Sequence, residues 1–333
     1  MGQQPSPYRL SRRAFLAALP LAAGVAACRR RPPYRPSDFV VPDRSAMAIL
    51  PAPNYDVDLG DIIYRGLELL RPSVAGKRVF LKPNMVEYES GTAINTHPVV
   101  VAGAAAAFLK AGAREVVVGE GPGHRRDVEY LLGGTGLDDV LTDHRLKFID
   151  LNNDDVERVS LRSRFTGLEE LWLPVELLRS DFIVSMPKLK THHWVGMTAS
   201  LKNFFGVVPG AVYGWPKNIL NFHGIEQSIL DIAATIRPAF TIVDAIVAME
   251  GDGPIMGRPR PMGFVAMGSD LLAVDATCAR IIGLNPAKMP YLSVGSEYLG
   301  NIAERRIDQR GEDPVRYRTQ FDVVEKFKKL RLS

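Results

Sequence analysis

The chain has 333 residues, 46% hydrophobic and 23% charged, the composition of a globular protein that can bury one large core or two smaller ones. Its formal net charge is only +4, and the basic excess gathers at the ends, at Arg29, Arg30, Arg31 and Arg35 and at Lys326, Lys328, Lys329 and Arg331; with no basic stripe interleaved with aromatics, no nucleic-acid partner is expected. Two cysteines, Cys28 and Cys278, are too few for an iron–sulfur cluster, so none is expected from this chain, and too few for a Cys-rich zinc site.

The first element is an address. "LSRRAFLAALPLAAGVAAC" carries Arg12 and Arg13 ahead of a short apolar run and resembles a twin-arginine export signal. The run is too short to span a bilayer, which takes about 20 residues. It ends in "VAAC", which resembles a lipoprotein box. On that reading residues 1–28 are a signal peptide and Cys28 becomes a lipidated first residue. Plain cleavage and an uncleaved anchor are the alternatives. The expected location is periplasmic or on the outer face of the cytoplasmic membrane, reached through the twin-arginine machinery. Residues 29–55, rich in Arg and Pro, read as a linker.

From residue 56 the pattern alternates. "DIIYRGLELL" reads as a helix, "KRVFLKPN" as a strand, and "HPVVVAGAAAAFLKAGA" as a helix with Pro98 in its first turn. "REVVVGEGPG" is a strand breaking into a glycine loop, and two short helical pieces follow. "KFIDLN" and "ERVSL" read as short strands, "PVELLRS" as a short helix, "DFIVSMP" as a strand and "VGMTASLKNFFG" as a helix stopping at Gly206. "GIEQSILDIAATIRP" is an amphipathic helix. Two strands, "AFTIVDAIVAME" and "PMGFVAMG", precede a helix over "SDLLAVDATCARIIGL" with Ser269 and Asp270 as its expected cap residues and Cys278 as a core thiol. These apolar strands between helices predict an α/β fold with a mostly parallel sheet covered on both faces, in one body or two lobes, over residues 56–310. Residues 311–333 read as a basic tail.

In such sheets ligands sit beyond the carboxyl ends of the strands, which directs attention to four turns and to the helical segment that follows the third. "LKPN" offers Lys82 and Asn84 to a carboxylate or phosphate, or a solvated loop lysine. "GEGPGHRRD" holds Glu120, His124, Arg125 and Arg126, in an anion-cradling loop or a flexible turn capped at Asp127. In "PKLKTHHW" an extended chain puts Lys188, Lys190 and His192 on one face. Like charges so close need an anion or carboxylates among them, unless the lysines only blunt an edge strand. "SLKNFFG" adds Lys202 and Asn203, catalytic or merely helix-ending. "VDAIVAMEGDGP" puts Asp244 inside an apolar strand, where a buried carboxylate needs a partner, with Glu250 at the strand's end. His223, at a helix start, is a candidate proton carrier or substrate ligand. No tight metal-ligand spacing occurs, so the metal question stays open at this level.

Together "LKPN", "MPKLKTH", "LKNFFG", "VDAIVAMEGDGP" and "GSDLLAVDATCARIIG" resemble the DUF362 family, a domain of unknown function, over roughly residues 75–300. Some members of that family carry ferredoxin-like modules, whose cysteines this chain lacks. There is also a distant similarity of plan to the nickel-pincer lactate racemase family, an analogy of fold only. Two functions remain in view. In the first, an exported enzyme acts on or with a small anionic molecule or cofactor. Lys190, His192, Lys202, Asp244 and Glu250 do its chemistry, while Lys82, Asn84, Lys188, Asn203 and His223 bind. In the second, a non-catalytic binding or accessory protein holds an anion, metal or partner, with "WVGM" and "FFGVVPGAVYGW" as a docking surface.

Overall fold

A computed structural model describes residues 32–123 and 127–332. Arg12, Arg13 and Cys28, and the loop residues His124, Arg125 and Arg126, lie outside the described residues. In chain order the elements begin with β1 (Ser45–Pro51), α1 (Leu59–Leu70), β2 (Arg78–Pro83), α2 (Pro98–Lys110), β3 (Glu115–Glu120), α3 (Val128–Thr135), α4 (Leu137–Asp143) and β4 (Lys147–Asp150). Then come β5 (Val156–Ser160), β6 (Glu170–Pro174), α5 (Val175–Leu178), β7 (Phe182–Met186), β8 (Lys188–His192), β9 (Gly196–Thr198) and α6 (Ser200–Asn203). The second half adds α7 (Gly210–Tyr213), α8 (Asn218–Phe222), α9 (Ile225–Ile236), β10 (Phe240–Asp252), β11 (Met256–Gly268), α10 (Leu271–Ile281), α11 (Pro290–Gly295) and β12 (Ile307–Gly311).

One ten-stranded sheet runs in the order β12-β1-β11-β10-β7-β2-β3-β4, with β8 and β9 attached beyond β10. The β1–β12, β10–β7, β7–β2, β2–β3 and β3–β4 pairs are parallel, and β11 runs against both its neighbours. The fold is therefore α/β with one mostly parallel ten-stranded sheet, beside which β5 and β6 form a separate antiparallel pair. Side chains alternate between two apolar layers. Val79, Leu81, Val116 and Val118 face one core, packed by α1, α2, α3 and α4. Phe80, Val117, Val243 and Ala245 face the other, packed by α9 and α10. This period of two with both faces covered is why the strands read as nearly continuous apolar runs.

Three sequence boundaries move. The supposed linker 29–55 contains β1, whose Met47, Ala48 and Ile49 are fully buried, so the folded body starts before residue 56. The supposed helix over "VGMTASLKNFFG" is three pieces: β9, which pairs with β8, the single turn of α6, and a 3₁₀ turn over Phe204–Val207. The strand β9 forms because Lys190–His192 offers its edge to Gly196–Thr198 across a tight turn. The segment 311–333 is packed, with Phe321 and Leu330 buried. Of the two cap candidates at α10, Ser269 and Asp270, the cap is Asp270, which accepts the Ala273 amide.

The chain path places the crevice. From β2 it steps outward through β3 to β4, then returns so that β7 lies on the other side of β2. The strand order thus reverses at β2–β7, the topological switch where open α/β sheets leave a cleft at their carboxyl ends.

Candidate functional site

At that cleft Lys82 is the penultimate residue of β2 and Glu120 the last of β3. The lysine ammonium donates to Glu120 Oε2 at 2.6 Å, to the Asn203 Oδ1 at 3.2 Å and to the Pro83 carbonyl at 3.1 Å. Glu120 also accepts the amides of Met85 at 3.0 Å and Gly121 at 2.8 Å. Asn203 returns two bonds, to the Lys82 carbonyl at 3.0 Å and the Ser185 hydroxyl at 3.1 Å. The helical turn carrying Asn203 is itself fixed from behind, since Asp275 on α10 accepts the Ser200 and Leu201 amides at 2.7 and 3.1 Å. Burial pushes the Asp275 carboxyl up to about 7.

In front of this floor is a cavity of about 280 Å³. Its polar lining includes Lys82, Lys190, Lys202, Lys217 and His192, with Glu120 the sole carboxylate among the described lining residues. Apolar walls come from Met85, Val86, Phe205, Trp194, Pro216 and Ile255. Lys190, fully buried, donates to the Ile94 carbonyl at 2.7 Å. Lys217 donates to Asn152 Oδ1 at 2.7 Å and to the Val208 carbonyl. Lys202 is half-buried, its ammonium 4.6 Å from the centre of the Phe205 ring, and it has no hydrogen-bond partner among the described residues. Two acceptors on the lining, Asn84 Oδ1 and Asn221 Oδ1, are buried and unpartnered.

Crowded ammoniums out of water favour the uncharged amine. Burial lowers all four lysines. It takes Lys190 well below the usual range, helped by Lys202 and Lys188. Lys202 falls to about 8, with Lys82 adding to the effect of burial, and Lys217 falls to about 7. Lys82 is lowered by burial too, against the opposing pull of Glu120. Burial also takes His192 well below its ordinary value, with Lys202 and Lys190 adding. Its Nδ1 accepts the Trp194 amide at 3.1 Å, so the neutral ring carries its proton on Nε2.

Six sequence candidates therefore meet here: Lys82, Asn84, Lys190, His192, Lys202 and Asn203. Four do not line this cavity. Lys188 is paired with Asp244 at 2.5 Å and donates to Tyr55 Oη at 2.8 Å. Asp244 also accepts Tyr55 Oη at 3.1 Å and the His97 amide at 3.0 Å. The cause is a register jump. Lys188 stands beside Asp244 but Lys190 beside Met249, so β8 departs from regular pairing between its two lysines. Glu250 accepts from Arg258 at 3.1 Å and from the Asp322 amide at 3.0 Å, at the far end of β10. His223 contacts the Thr166 carbonyl at 3.1 Å on the exposed surface. Most of the proposed docking surface is interior: Val195, Met197, Phe204, Phe205, Val207 and Val208 are buried, and Trp194 alone of "WVGM" is exposed. Sequence reasoning gave no role to Lys217, which sits in an irregular loop with φ +70°, and none to Asn152. No group of three His, Cys, Asp or Glu side chains among the described residues is placed to hold a metal.

Fold and site define an α/β protein with a lysine-lined pocket at the carboxyl ends of its central strands. Residues 79–280 match the family described as "Domain of unknown function (DUF362)". The chain belongs to that family. It is 31% identical over 233 residues to a protein of Synechocystis sp. named "Thylakoid-associated protein", covering 68% of each. Among solved structures it is similar to the lactate racemase apoprotein of Thermoanaerobacterium thermosaccharolyticum, with TM-score 0.45 and 15% identity over 73% of this chain and 59% of that one. A Thermotoga maritima protein matches with TM-score 0.36 and 13% identity over 66% of this chain and 57% of that one. The chain thus spans under two thirds of the length of these two solved chains.

Proposed function

We propose that the pocket binds a small anionic molecule with an apolar body and acts on it as an enzyme. The observation that carries this reading is the excess of cations, four lysines against Glu120, around a cavity with apolar walls. Lys82 has three N–H bonds and three acceptors, so it lends charge and holds Asn203 rather than gripping the ligand. Lys190 and Lys202 keep N–H bonds free for an anion, and the orphan Asn84 and Asn221 oxygens suit hydroxyl or amide donors on it. Lys202 and Lys217, lowered to about 8 and about 7, supply proton carriers near neutral pH. Titration calorimetry with inorganic phosphate and with small carboxylates tests this. Saturable binding is expected, weakened about tenfold, or about 1.4 kcal/mol, in Lys202→Met and unchanged in Lys147→Met, a lysine exposed at the start of β4. No saturable binding of either anion by the wild type refutes the reading.

A binding protein without turnover is the second reading, favoured by the hydrogen bonds that already restrain Lys82, Lys190 and Lys217. For the chain as a whole we infer export by the twin-arginine route, with lipidation at Cys28 as the tether. The support is the "SRRAFL" and "VAAC" pattern together with the membrane-related name of the Synechocystis relative. No helix among the described residues is long and apolar enough to cross a membrane. Arg12→Lys with Arg13→Lys should leave the protein in the cytoplasm on fractionation, and Cys28→Ala should abolish labelling by a radioactive fatty acid; unchanged location and labelling would overturn the inference.

A further inference from the structure

The four lysines of the pocket are not equivalent. Lys82 is saturated by three acceptors. Lys217 is anchored between Asn152 and the Val208 carbonyl and is 1% exposed. Lys190 is fixed to the Ile94 carbonyl and fully buried. Outside the pocket, Lys188 is locked between Asp244 and Tyr55. Lys202 alone of these five combines access to the cavity with an amine that no described residue engages by a hydrogen bond. Its nitrogen lies 4.6 Å from the centre of the Phe205 ring, a contact that positions it without a hydrogen bond. The other cationic side chains of the lining stand around it as ready partners for a negative group.

We propose that Lys202 is a nucleophile and that the pocket takes anionic aldehydes and ketones, such as 2-oxo acids, as an imine on this residue. The proposal rests on the anion-pocket reading and names its substrate class. The uncharged amine adds through its lone pair to the carbonyl carbon, and the C=O π pair moves onto oxygen. One proton passes from nitrogen to that oxygen to give a carbinolamine. The C–O bond then breaks, its oxygen leaves as water with the second amine proton, and a C=N bond remains. Amine and carbonyl thus give imine and water, with no oxidant or reductant. His192 lines the same cavity, and with Nδ1 held by the Trp194 amide its Nε2–H is left to donate to the oxygen as charge develops there. The substrate's carboxylate or phosphate is held by Lys190 and Lys217, which keeps the carbonyl carbon near Lys202.

The electrostatics agree with this role. With its value lowered to about 8, Lys202 is uncharged in roughly one molecule in ten at pH 7, against about one in three thousand for an ordinary lysine. A desolvated lysine beside other cations is the usual way to make such a nucleophile.

The test incubates the full protein with pyruvate or glyoxylate and cyanoborohydride, which reduces an imine to a stable secondary amine. Intact mass and peptide mapping then locate the adduct. One adduct per chain is expected, at Lys202, forming at least about tenfold faster than at any exposed lysine. It should be suppressed by excess phosphate and absent in Lys202→Arg, which keeps the charge and hence phosphate binding. Adduct at Lys217, adduct spread evenly over surface lysines, or full labelling of Lys202→Arg overturns the proposal. Phosphate binding without any adduct also overturns it, while leaving the anion pocket standing. Loss of phosphate binding in the wild type removes the pocket reading itself.

Discussion

Lys82 shows what a buried cation requires. It lies wholly out of water, and it is held there by a carboxylate, an amide oxygen and a carbonyl, the complete set an ammonium can use. Lys202 and Lys217 lack such a set, and their lowered values make ligand binding depend on pH with a definite sign. An anion favours the protonated amines, so binding draws protons in and affinity falls as pH rises through about 7 and about 8. Phosphate affinity should drop about tenfold per pH unit above 8 for each lysine that must be recharged. Calorimetry in buffers of different ionisation heat should show proton uptake at pH 8. A flat affinity from pH 6 to 9, or proton release, would show that these lysines do not titrate with the ligand. The ligand-free protein should run the other way. Folded Lys202 and Lys217 bind fewer protons than the unfolded chain between their lowered values and the ordinary lysine range, so their contribution to stability rises with pH across that window. Strand-end position made Lys82 and Lys190 legible in the sequence, because the carboxyl ends of parallel strands are where chains converge, and Lys202 stood out in the short "SLKNFFG" segment that follows them. Lys217 was not legible, since an irregular loop has no period to place it.

At the scale of elements, alternation and capping carried most of the information. Asp127 accepts the Tyr130 amide at the start of α3, and Pro98 opens α2 where its missing N–H costs nothing. These signals are local, so the sequence shows them directly. What stayed hidden depends on partners. β1 is a seven-residue run, "SAMAILP", and becomes a strand because β11 and β12 flank it on both sides. β9 has three residues, too few for any periodicity, and exists through its pairing with β8. The face-sharing of Lys188 and Lys190 assumed a regular strand, and the register jump against β10 breaks that assumption. Close approach also shaped the site without a sequence signature. A Cβ at Gly121 would stand 2.7 Å from the Gly206 carbonyl, and one at Gly206 would stand 2.4 Å from Glu120 Oε1 and 2.8 Å from Lys82 Nζ. The 3₁₀ turn after Asn203 can lie against the ends of β2 and β3 only because both positions lack side chains.

Across the whole molecule the C-terminal segment ties the far edge of the second core to the site. Thr319 and Phe321 donate to the carbonyls of Ile281 and Ile282 at 2.8 and 3.1 Å, and Asn285 donates to the Leu330 carbonyl at 2.7 Å. Glu250 accepts the Asp322 amide, so this carboxylate anchors the tail. Leu330 and Phe327 then approach Gly196 at the β8–β9 turn, with Leu330 Cδ1 3.0 Å from where a Cβ would stand. That turn carries His192 at its other end. A basic tail with no apolar period reads as dispensable, yet Phe321 and Leu330 are among the buried residues. Burying two such side chains contributes about 3–6 kcal/mol. Deleting residues 319–333 should therefore lower the melting temperature by on the order of 10 °C. It should also speed amide exchange in residues 190–198 more than in β2 or β3, because the turn loses its backing while the strands keep theirs. Phosphate affinity should weaken with it, since His192 and Lys190 share the loosened strand. A truncated chain that melts within about 2 °C of the full one, with unchanged exchange at β8 and β9, would mean the segment only lies on the surface it touches.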